Sequence, residues 1–309
     1  MTYQAILLVS FGGPERPEEV IPFLENVLRG RRVPRERMLE VAEHYYHFGG
    51  KSPINDHCRE LIDALSRAVP LPVYWGNRNW RPMLADTVRQ MAADGVDRAL
   101  AIATSAYASY SGCRQYLENI AEARAEVGPT APVIDKLPPF AGHPLFVEAT
   151  TDRVRTALEQ SPDARLIFTA HSVPLSMSAS CPYADQLHDT ATAVAAALGR
   201  SEFDFAWQSR SGPPTQPWLE PDILHRLRQL AAEGVKEVAI APIGFLSDHM
   251  EVLYDLDVEA AAVCRDLGMN MVRAETVGAH PAFIRMLAEL IAAGPPPACA
   301  PECCPPPAR

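Results

Sequence analysis

Eight short, continuous apolar runs alternate along this chain with longer stretches of helical pattern. The runs are AILLVS, PVYWG, ALAIAT and PVID in the first half, then RLIFTA, FDFAWQS, EVAIAPI and MNMVRAE in the second. Strands buried on both faces of a parallel sheet give such runs, and helices such as MLADTVRQMAADG join them. The pattern predicts an α/β fold of two similar domains, each with a four-stranded parallel sheet flanked by helices.

The domain boundary is expected near the proline-rich segment at residues 136–144. We place a first domain at residues 1–140, completed by a C-terminal helix at about 280–293, and a second at 141–279. Residues 294–309 form a tail in which seven of the last fifteen residues are proline. Proline lacks a backbone N–H and has a fixed φ, so we expect neither helix nor strand there.

Charge and hydropathy exclude several classes of protein. The formal net charge of −10 argues against nucleic acid or anionic lipid as the main partner. No apolar stretch approaches about 18 residues, and no basic region precedes the first strand, so we expect neither a transmembrane segment nor a signal peptide. A cytoplasmic protein is therefore predicted, in which the seven cysteines are thiols or metal ligands rather than disulfides.

Unusual polar residues follow several of the expected strands, at the edge where parallel sheets place their functional groups. The run RLIFTA leads into His171, and EVAIAPI leads into Glu251, Asp255 and Glu259. The i, i+4, i+8 spacing stacks three carboxylates on one helical face, which costs stability unless a cation lies against them. We interpret His171 and Glu251 as facing each other across a cleft between the domains. The alternative is a solvated acidic helix face and a structural histidine.

Six separated motifs resemble those of the ferrochelatase family. SFGGPE, HYYHFGGKSPIN, TAHSVP, WQSRSGPP, PWLEPD and GFLSDHMEVLYDLD occur in this order between residue 1 and about residue 293. The resemblance implies two Rossmann-like, chelatase-like domains and a lyase that inserts its substrate Fe²⁺ into a porphyrin to give heme. The second-half motifs resemble the branch that uses coproporphyrin III, with protoporphyrin IX as the alternative substrate.

The resemblance also implies roles for the acidic helix. His171 would bind iron or take a proton near neutral pH, and Glu251 would be its carboxylate counterpart. Asp255 and Glu259 would extend the acidic face towards solvent, as a metal entry path or an outer Mg²⁺ site.

The porphyrin is an anion, and the run LRGRRVPRER supplies cationic side chains that suit its propionates. The resemblance implies that the porphyrin is contacted by Phe11, Arg29, Arg31, Tyr45, Ser52 and Tyr116. Arg35 and Arg37 are interpreted as part of a solvated basic loop. Some relatives have a tyrosine at the position of Phe11 whose hydroxyl can meet the metal, and Phe11 cannot do this.

The cysteines fall into two groups. Cys58 and Cys264 lie in helical stretches and are predicted to be small core residues. The resemblance implies a [2Fe–2S] cluster, which needs four thiolates. Its ligands would be Cys113, Cys299, Cys303 and Cys304, with Cys181 as a rival for the fourth place. A thiol-bearing tail without metal is the alternative.

Two other classes of function fit parts of this pattern. A heme or metal carrier could share the histidine and glutamate without turnover, and a periplasmic-type binding protein would need an export signal that we do not find. The family resemblance further implies transient contact with the upstream and downstream enzymes of the heme pathway.

Overall fold

The computed structural model of the chain describes residues 3–30, 33–213, 215–294, 300 and 303–306. Eight strands in this part of the chain form two four-stranded sheets, and all strand pairs within them are parallel. Most consecutive strands are joined by at least one helix, as parallel pairing requires. The predicted fold class is confirmed.

The chain divides into two compact units. The first contains the described residues as far as Thr104, the segment Gln115–Pro138 and the end of the last helix from Leu287. The second contains Ser105–Arg114, Pro139–Met286 and the described part of the tail. Each unit is therefore assembled from several segments of the chain, and Ser105–Arg114 lies in the second unit although its sequence position lies within residues 1–140.

The sheet of the first unit has the strand order β2-β1-β3-β4. Its strands are β1 (Ala5–Ser10), β2 (Val73–Asn77), β3 (Arg98–Ala103) and β4 (Val133–Lys136). Its helices are α1 (Pro17–Val27), α2 (Arg35–His47), α3 (Ile54–Ala68), α4 (Leu84–Ala93) and α5 (Gln115–Val127). Helix α3 shows why these stretches fold as they do, because Cys58, Leu61 and Leu65 recur at helical spacing and are all buried.

The sheet of the second unit has the equivalent order β6-β5-β7-β8. Its strands are β5 (Arg165–His171), β6 (Asp204–Gln208), β7 (Glu237–Ala241) and β8 (Asn270–Arg273). The remaining α-helices are α6 (Pro144–Leu158), α7 (Leu175–Ser178), α8 (Tyr183–Ala197), α9 (Ile223–Ala232), α10 (Met250–Val252), α11 (Ala261–Asp266) and α12 (Pro281–Ala292). Two π-helices are also present, π1 (Tyr110–Arg114) and π2 (Leu253–Ala260).

The apolar runs form the cores of the two sheets. Every residue of β1 is buried, and so are the five central residues of β5. Full burial of one leucine or isoleucine side chain stabilises the fold by about 1.5–3 kcal/mol, so these strands need no polar face. Cys58 and Cys264 are buried in α3 and α11, as predicted.

Glycines bring backbone segments together at the carboxyl edge of each sheet. Gly12 follows β1 with a φ of +82°, and a Cβ on it would lie 2.8 Å from the Cβ of Asn77. Gly244 follows β7, where a Cβ would lie 2.4 Å from the Cβ of Ala170. Only glycine fits these two positions. The second contact brings the chain that leaves β7 against the end of β5.

In the part of the chain that the structure describes, no helix combines the length and the apolar character needed to cross a membrane.

Candidate active site

His171 and Glu251 lie close together at the carboxyl edge of the second unit's sheet. His171 is the last residue of β5, and Glu251 lies in α10, which follows the neighbouring strand β7. The His171 Nε2 atom is 3.8 Å from Glu251 Oε2. Both residues belong to the second unit, so our interpretation that they face each other across a cleft between domains is wrong. Parallel strands end at the same edge, and this brings the two residues together.

The ring of His171 is oriented by the backbone carbonyl of the next residue, Ser172. Its Nδ1 atom lies 2.5 Å from the carbonyl oxygen of Ser172. A carbonyl can only accept, so Nδ1 carries a proton and donates it. In the neutral ring the lone pair is then on Nε2, the nitrogen that faces Glu251. His171 can therefore accept a proton or bind a metal ion on the side of the carboxylate.

Two residues of the acidic row Glu251, Asp255 and Glu259 lie in a π-helix rather than in the regular α-helix that the spacing led us to expect. Glu251 lies in α10, and Asp255 and Glu259 lie in π2. π-Helical turns inside helices occur frequently at functional sites. The side chains of Glu251 and Glu259 are exposed, whereas Asp255 is half-buried. Asp255 therefore does not simply extend a solvated face.

Two residues that follow the tryptophan of β6 hold the carboxylate of Asp255. Gln208 Nε2 donates to Asp255 Oδ2 over 3.2 Å, and the hydroxyl of Ser209 donates to the same oxygen. Ser209 has a φ of +60°, a left-handed conformation that costs a non-glycine residue of the order of 1 kcal/mol. The WQSRSG motif contains both residues, but the sequence alone did not show that Asp255 is their hydrogen-bond partner.

Burial is the main cause that raises the pKa of Asp255, from 3.8 to about 7. The negative charges of Glu251 and Glu259 add to this effect, and the hydrogen bonds from Ser209 and Gln208 oppose it. Asp255 is therefore a carboxyl group that can exchange a proton near neutral pH.

Replacing Asp255 with asparagine should stabilise the protein at high pH. The folded pKa lies above the unfolded value, so the folded state binds more protons and stability falls as the pH rises from about 4 through about 7. Asparagine has no proton to lose, so at about pH 8 we expect a gain of roughly 2 kcal/mol, after allowance for solvent screening.

Urea unfolding at several pH values measures this gain, which should disappear in acid. The exposed Asp163 offers a control, since Asp163→Asn should leave the curve of stability against pH unchanged. A gain of equal size at every pH would show that packing, and not proton binding, causes the difference.

In the first unit, aromatic rings and one arginine gather at the carboxyl edge of the sheet. Phe11 follows β1, is 37% exposed and contacts Phe23, with ring centroids 6.2 Å apart. Phe23 also contacts Tyr45 at 5.8 Å. The guanidinium of Arg78 lies 4.6 Å from the ring centroid of Tyr116 and 5.9 Å from that of Phe11. We call Phe11, Phe23, Tyr45, Arg78 and Tyr116 the aromatic surface.

Arg78 was not among the porphyrin contacts predicted from the sequence. It follows β2, its backbone N–H donates to the carbonyl of Ser10, and its Nε donates to Asn119 Oδ1 over 2.6 Å. Among the described residues no carboxylate lies within 4.0 Å of its guanidinium nitrogens. The only sequence signal was its position immediately after a strand.

The other expected porphyrin contacts have different surroundings. Arg29 is exposed just after α1, and Ser52 is buried, with its backbone N–H donating to the carbonyl of Pro14. Arg31 lies outside the described residues. Arg35 and Arg37 form ion pairs with Glu25 and Glu40 at the surface, consistent with a solvated loop.

Cysteines of the tail and of two segments of the body belong to the second unit. Cys113 in π1 and Cys304 in the tail are buried, and Cys303 Sγ is 3.7 Å from Cys304 Sγ. Burial raises the pKa of Cys304 to about 12, and neighbouring Cys303, Cys113 and Cys181 add to the shift. We call these four residues the thiol group. Cys299 lies outside the described residues.

The sulfur–sulfur distance in the thiol group can be compared with the distance that a tetrahedral metal centre requires. Two sulfurs bound at about 2.3 Å to one tetrahedral metal are about 3.8 Å apart, close to the observed Cys303–Cys304 distance. Within the described ranges, no group of three or more histidine, cysteine, aspartate or glutamate residues is arranged to hold a metal ion. The donor atoms therefore fit thiolate ligation, but the described residues do not form a ready-made site.

Solved structures with the same fold are chelatases. CbiX, described as the terminal enzyme of siroheme synthesis in denitrifying bacteria, superposes with a TM-score of 0.56 at 17% identity, covering 94% of this chain and 98% of that one. The sirohydrochlorin chelatase SirB of Bacillus subtilis gives 0.53 at 13% identity, covering 94% of each chain. These similarities define a chelatase fold.

Sequence comparison then identifies the family. The Ferrochelatase family model matches residues 3–294. A ferrochelatase of Rhodopirellula baltica is 53% identical over 94% of this chain and 85% of the relative. Coproporphyrin III ferrochelatases of Nocardia farcinica and Mycobacteroides abscessus are 53% and 51% identical, each over 94% of this chain and 88% of the relative. The chain belongs to the ferrochelatase family.

Proposed function

We propose that this protein is a lyase that inserts Fe²⁺ into coproporphyrin III, giving coproheme III in the heme synthesis of the cytoplasm. The observation that carries the proposal is the pairing of His171 Nε2 with the Glu251 carboxylate, 3.8 Å apart, in a member of the ferrochelatase family. The choice of porphyrin is supported by the coproporphyrin III ferrochelatases at 53% and 51% identity.

Metal insertion replaces two pyrrole N–H protons, so the site must remove protons as well as deliver iron. Neutral His171 has its lone pair on Nε2 and takes up one proton there. The Glu251 carboxylate, which is half-exposed, stabilises the imidazolium that forms. Asp255, with its pKa of about 7, accepts protons at neutral pH and passes them towards the exposed Glu259.

The acidic row also serves the metal in this proposal. Carboxylate oxygens suit hydrated Fe²⁺ and Mg²⁺, and a row that ends in solvent offers successive sites for an entering ion. No preformed group of three ligands exists among the described residues, so we assign the row to passing Fe²⁺ inwards rather than to retaining Mg²⁺. An ion that must be released into the porphyrin should be bound only weakly before that step.

The aromatic surface is proposed to bind the porphyrin. Flat rings suit a macrocycle, and Phe11 exposes its ring where the surface is open. Arg78 has two guanidinium nitrogens free of carboxylates in the described part of the chain, and a guanidinium binds a propionate through two parallel hydrogen bonds. Arg29, which follows the helix that carries Phe23, supplies a second cation. Coproporphyrin III has four propionates, so several donors are needed.

The enzyme should turn over coproporphyrin III faster than protoporphyrin IX. Each porphyrin is mixed with Fe²⁺ without oxygen, and heme formation is followed by absorption over many equivalents per enzyme. Faster turnover with protoporphyrin IX would refute the choice of substrate. Conversion that stops at one equivalent would instead identify a carrier.

Product release in the pathway is proposed to involve transient contact with neighbouring enzymes.

Arg78→Ala tests the aromatic surface in the same assay. We expect the KM for coproporphyrin III to rise about tenfold or more, since a bidentate charge-assisted contact contributes about 1.5–3 kcal/mol. Arg59 is a matched control, because it also lies over an aromatic ring, Trp75, at 5.5 Å but is paired with Glu15 and Asp56. Equal effects of the two variants would argue against a porphyrin contact by Arg78.

We further propose that the tail carries a [2Fe–2S] cluster on Cys113, Cys299, Cys303 and Cys304. The support is the thiol group: Cys113 and Cys304 are both buried in the second unit, and Cys303 Sγ lies 3.7 Å from Cys304 Sγ. When bound, such a cluster would supply iron–thiolate bonds that tie the tail to the unit. Cys181 also lies in the thiol group and remains the alternative to Cys113 as the ligand from the body of the protein.

A further inference from the structure

The motif PWLEPD, which we call the PWLEPD segment (Pro217–Asp222), lies beside the chain that follows His171. The backbone N–H of Leu219 donates to the carbonyl of Val173 over 3.0 Å. A side chain adds a second link, because the hydroxyl of Ser172 donates to the carbonyl of Leu219 over 2.9 Å. The PWLEPD segment therefore holds the residues directly after His171 through both backbone and side-chain atoms.

Ser172 connects the PWLEPD segment to the imidazole ring. The Nδ1–H of His171 donates to the carbonyl oxygen of Ser172, with 2.5 Å between the nitrogen and the oxygen. Ser172 is 2% exposed, and a hydroxyl buried this deeply needs an acceptor within the protein. The carbonyl of Leu219 is that acceptor. The bond fixes the position of Ser172, and with it the carbonyl that selects which ring nitrogen carries the proton.

The peptide group that joins His171 to Ser172 is held on both of its sides. The hydroxyl of Tyr183 donates to the carbonyl of His171 over 3.0 Å, and the N–H of Ser172 donates to the carbonyl of Gln208 over 2.8 Å. Burial raises the pKa of Tyr183, so its hydroxyl remains a protonated donor. This peptide group therefore has little freedom to rotate, and the ring attached to it keeps its direction.

The PWLEPD segment also reaches the end of β6. The backbone N–H of Trp207 donates to the carbonyl of Pro221 over 2.8 Å. Trp207 precedes Gln208 and Ser209, whose side chains donate to the carboxylate of Asp255. One segment thus supports the ends of the two neighbouring strands that carry polar groups into the candidate active site.

We propose that Ser172 and Tyr183 are positioning residues that, with the PWLEPD segment, keep the proton of the neutral His171 ring on Nδ1 and its lone pair on Nε2. The proposal rests on the proposed function for the identity of the reaction. Without these bonds the Ser172 carbonyl is free to move away from Nδ1, and the two tautomers of the ring come closer in energy. Molecules with the proton on Nε2 have no lone pair facing Glu251, so they cannot take up a pyrrole proton there.

The test uses Ser172→Ala and Tyr183→Phe, each of which removes one hydroxyl donor. Nitrogen NMR of histidine-labelled protein, without porphyrin or iron and with the rings neutral, measures which nitrogen of His171 carries the proton. Comparison with His171→Ala identifies the signal among the nine histidines. Thr87→Val is the matched control, because the buried Thr87 hydroxyl donates to the carbonyl of Trp75 over 2.7 Å in the first unit.

In the wild type and in Thr87→Val, the Nδ1–H form should dominate. Ser172→Ala and Tyr183→Phe should show a mixture of the two tautomers. Their kcat with coproporphyrin III and Fe²⁺ should fall about tenfold or more with KM unchanged, as is typical when a histidine loses a group that orients it. Ser172→Thr, which keeps a hydroxyl, should restore both the tautomer and kcat.

Urea unfolding checks that each variant is folded, and either variant decides the question if the other fails to fold. A wild-type tautomer in both variants would overturn the proposal, even if kcat falls, because the hydroxyls would then have only a structural role. A wild type with the proton on Nε2 would overturn it as well. Failure of the proposed function is distinguishable, since the wild type would then form no heme, whereas the NMR measurement does not depend on turnover.

Discussion

Replacing His171 with alanine should lower kcat for iron insertion by at least about a hundredfold, because the imidazole Nε2 is the proposed acceptor of a pyrrole proton. The fold should survive. His171 is the last residue of β5 and its side chain is 31% exposed, so truncation should change the free energy of unfolding by less than about 1 kcal/mol. Anaerobic steady-state assays and urea unfolding measure the two quantities.

Glu251→Gln should have an effect of similar size on kcat. The variant keeps the shape of the side chain and removes the charge that lies 3.8 Å from Nε2, so the imidazolium loses its stabilising partner. The controls are His225→Ala on the exposed surface of α9 and Glu202→Gln at an exposed pair with Arg165. Near-wild-type turnover in either His171→Ala or Glu251→Gln would remove that residue from the chemistry.

The strands were predictable because their signal is local. A strand covered on both faces must be apolar throughout. The runs AILLVS and RLIFTA therefore predict β1 and β5 without knowledge of the strands beside them. The meeting of His171 and Glu251 was also foreseeable in part, because parallel strands bring their carboxyl ends to one edge. Their assignment to opposite sides of a cleft between domains was wrong, and it disagreed with the predicted second domain at residues 141–279, which contains both residues.

Features that depend on contacts distant in sequence were not predictable. The residues of π2 have a pattern that an α-helix would also satisfy, so the wider turn was not foreseen. The inward position of Asp255 depends on Ser209, which reaches it from another strand end with a φ of +60°. The contacts of Arg78 with the rings of Tyr116 and Phe11 could not be predicted, because both rings come from other elements.

The tail differs from these elements, because its composition alone predicts that it has few backbone donors and little apolar surface. Seven prolines in the last fifteen residues remove backbone donors and leave little apolar surface, so the tail cannot offset its loss of conformational entropy by ordinary packing. Cys304 is nevertheless 3% exposed, with a φ of +50° that a non-glycine residue seldom adopts. Iron–thiolate bonds of the proposed cluster would be a source of the missing free energy.

If the tail carries the proposed iron–sulfur cluster, Cys113→Ser should abolish its visible absorption. Purified wild-type protein should be brown, with two iron and two sulfide ions per chain, and its tail should resist limited proteolysis. The serine variant should be colourless, and its tail should be cleaved rapidly. Cys58→Ser is the control, since Cys58 is a buried thiol of the first unit and should leave the absorption unchanged.

Cys181→Ser decides between the two candidates for the ligand from the body of the protein. Cys181 donates its thiol hydrogen to the carbonyl of Met177 over 3.1 Å, a local role that requires no metal. With Cys113, Cys299, Cys303 and Cys304 as ligands, Cys181→Ser should retain the cluster absorption and the protected tail. Loss of the absorption in Cys181→Ser, with an intact spectrum in Cys113→Ser, would transfer the fourth position to Cys181. A colourless wild type with a protease-sensitive tail would show that the thiols hold no cluster.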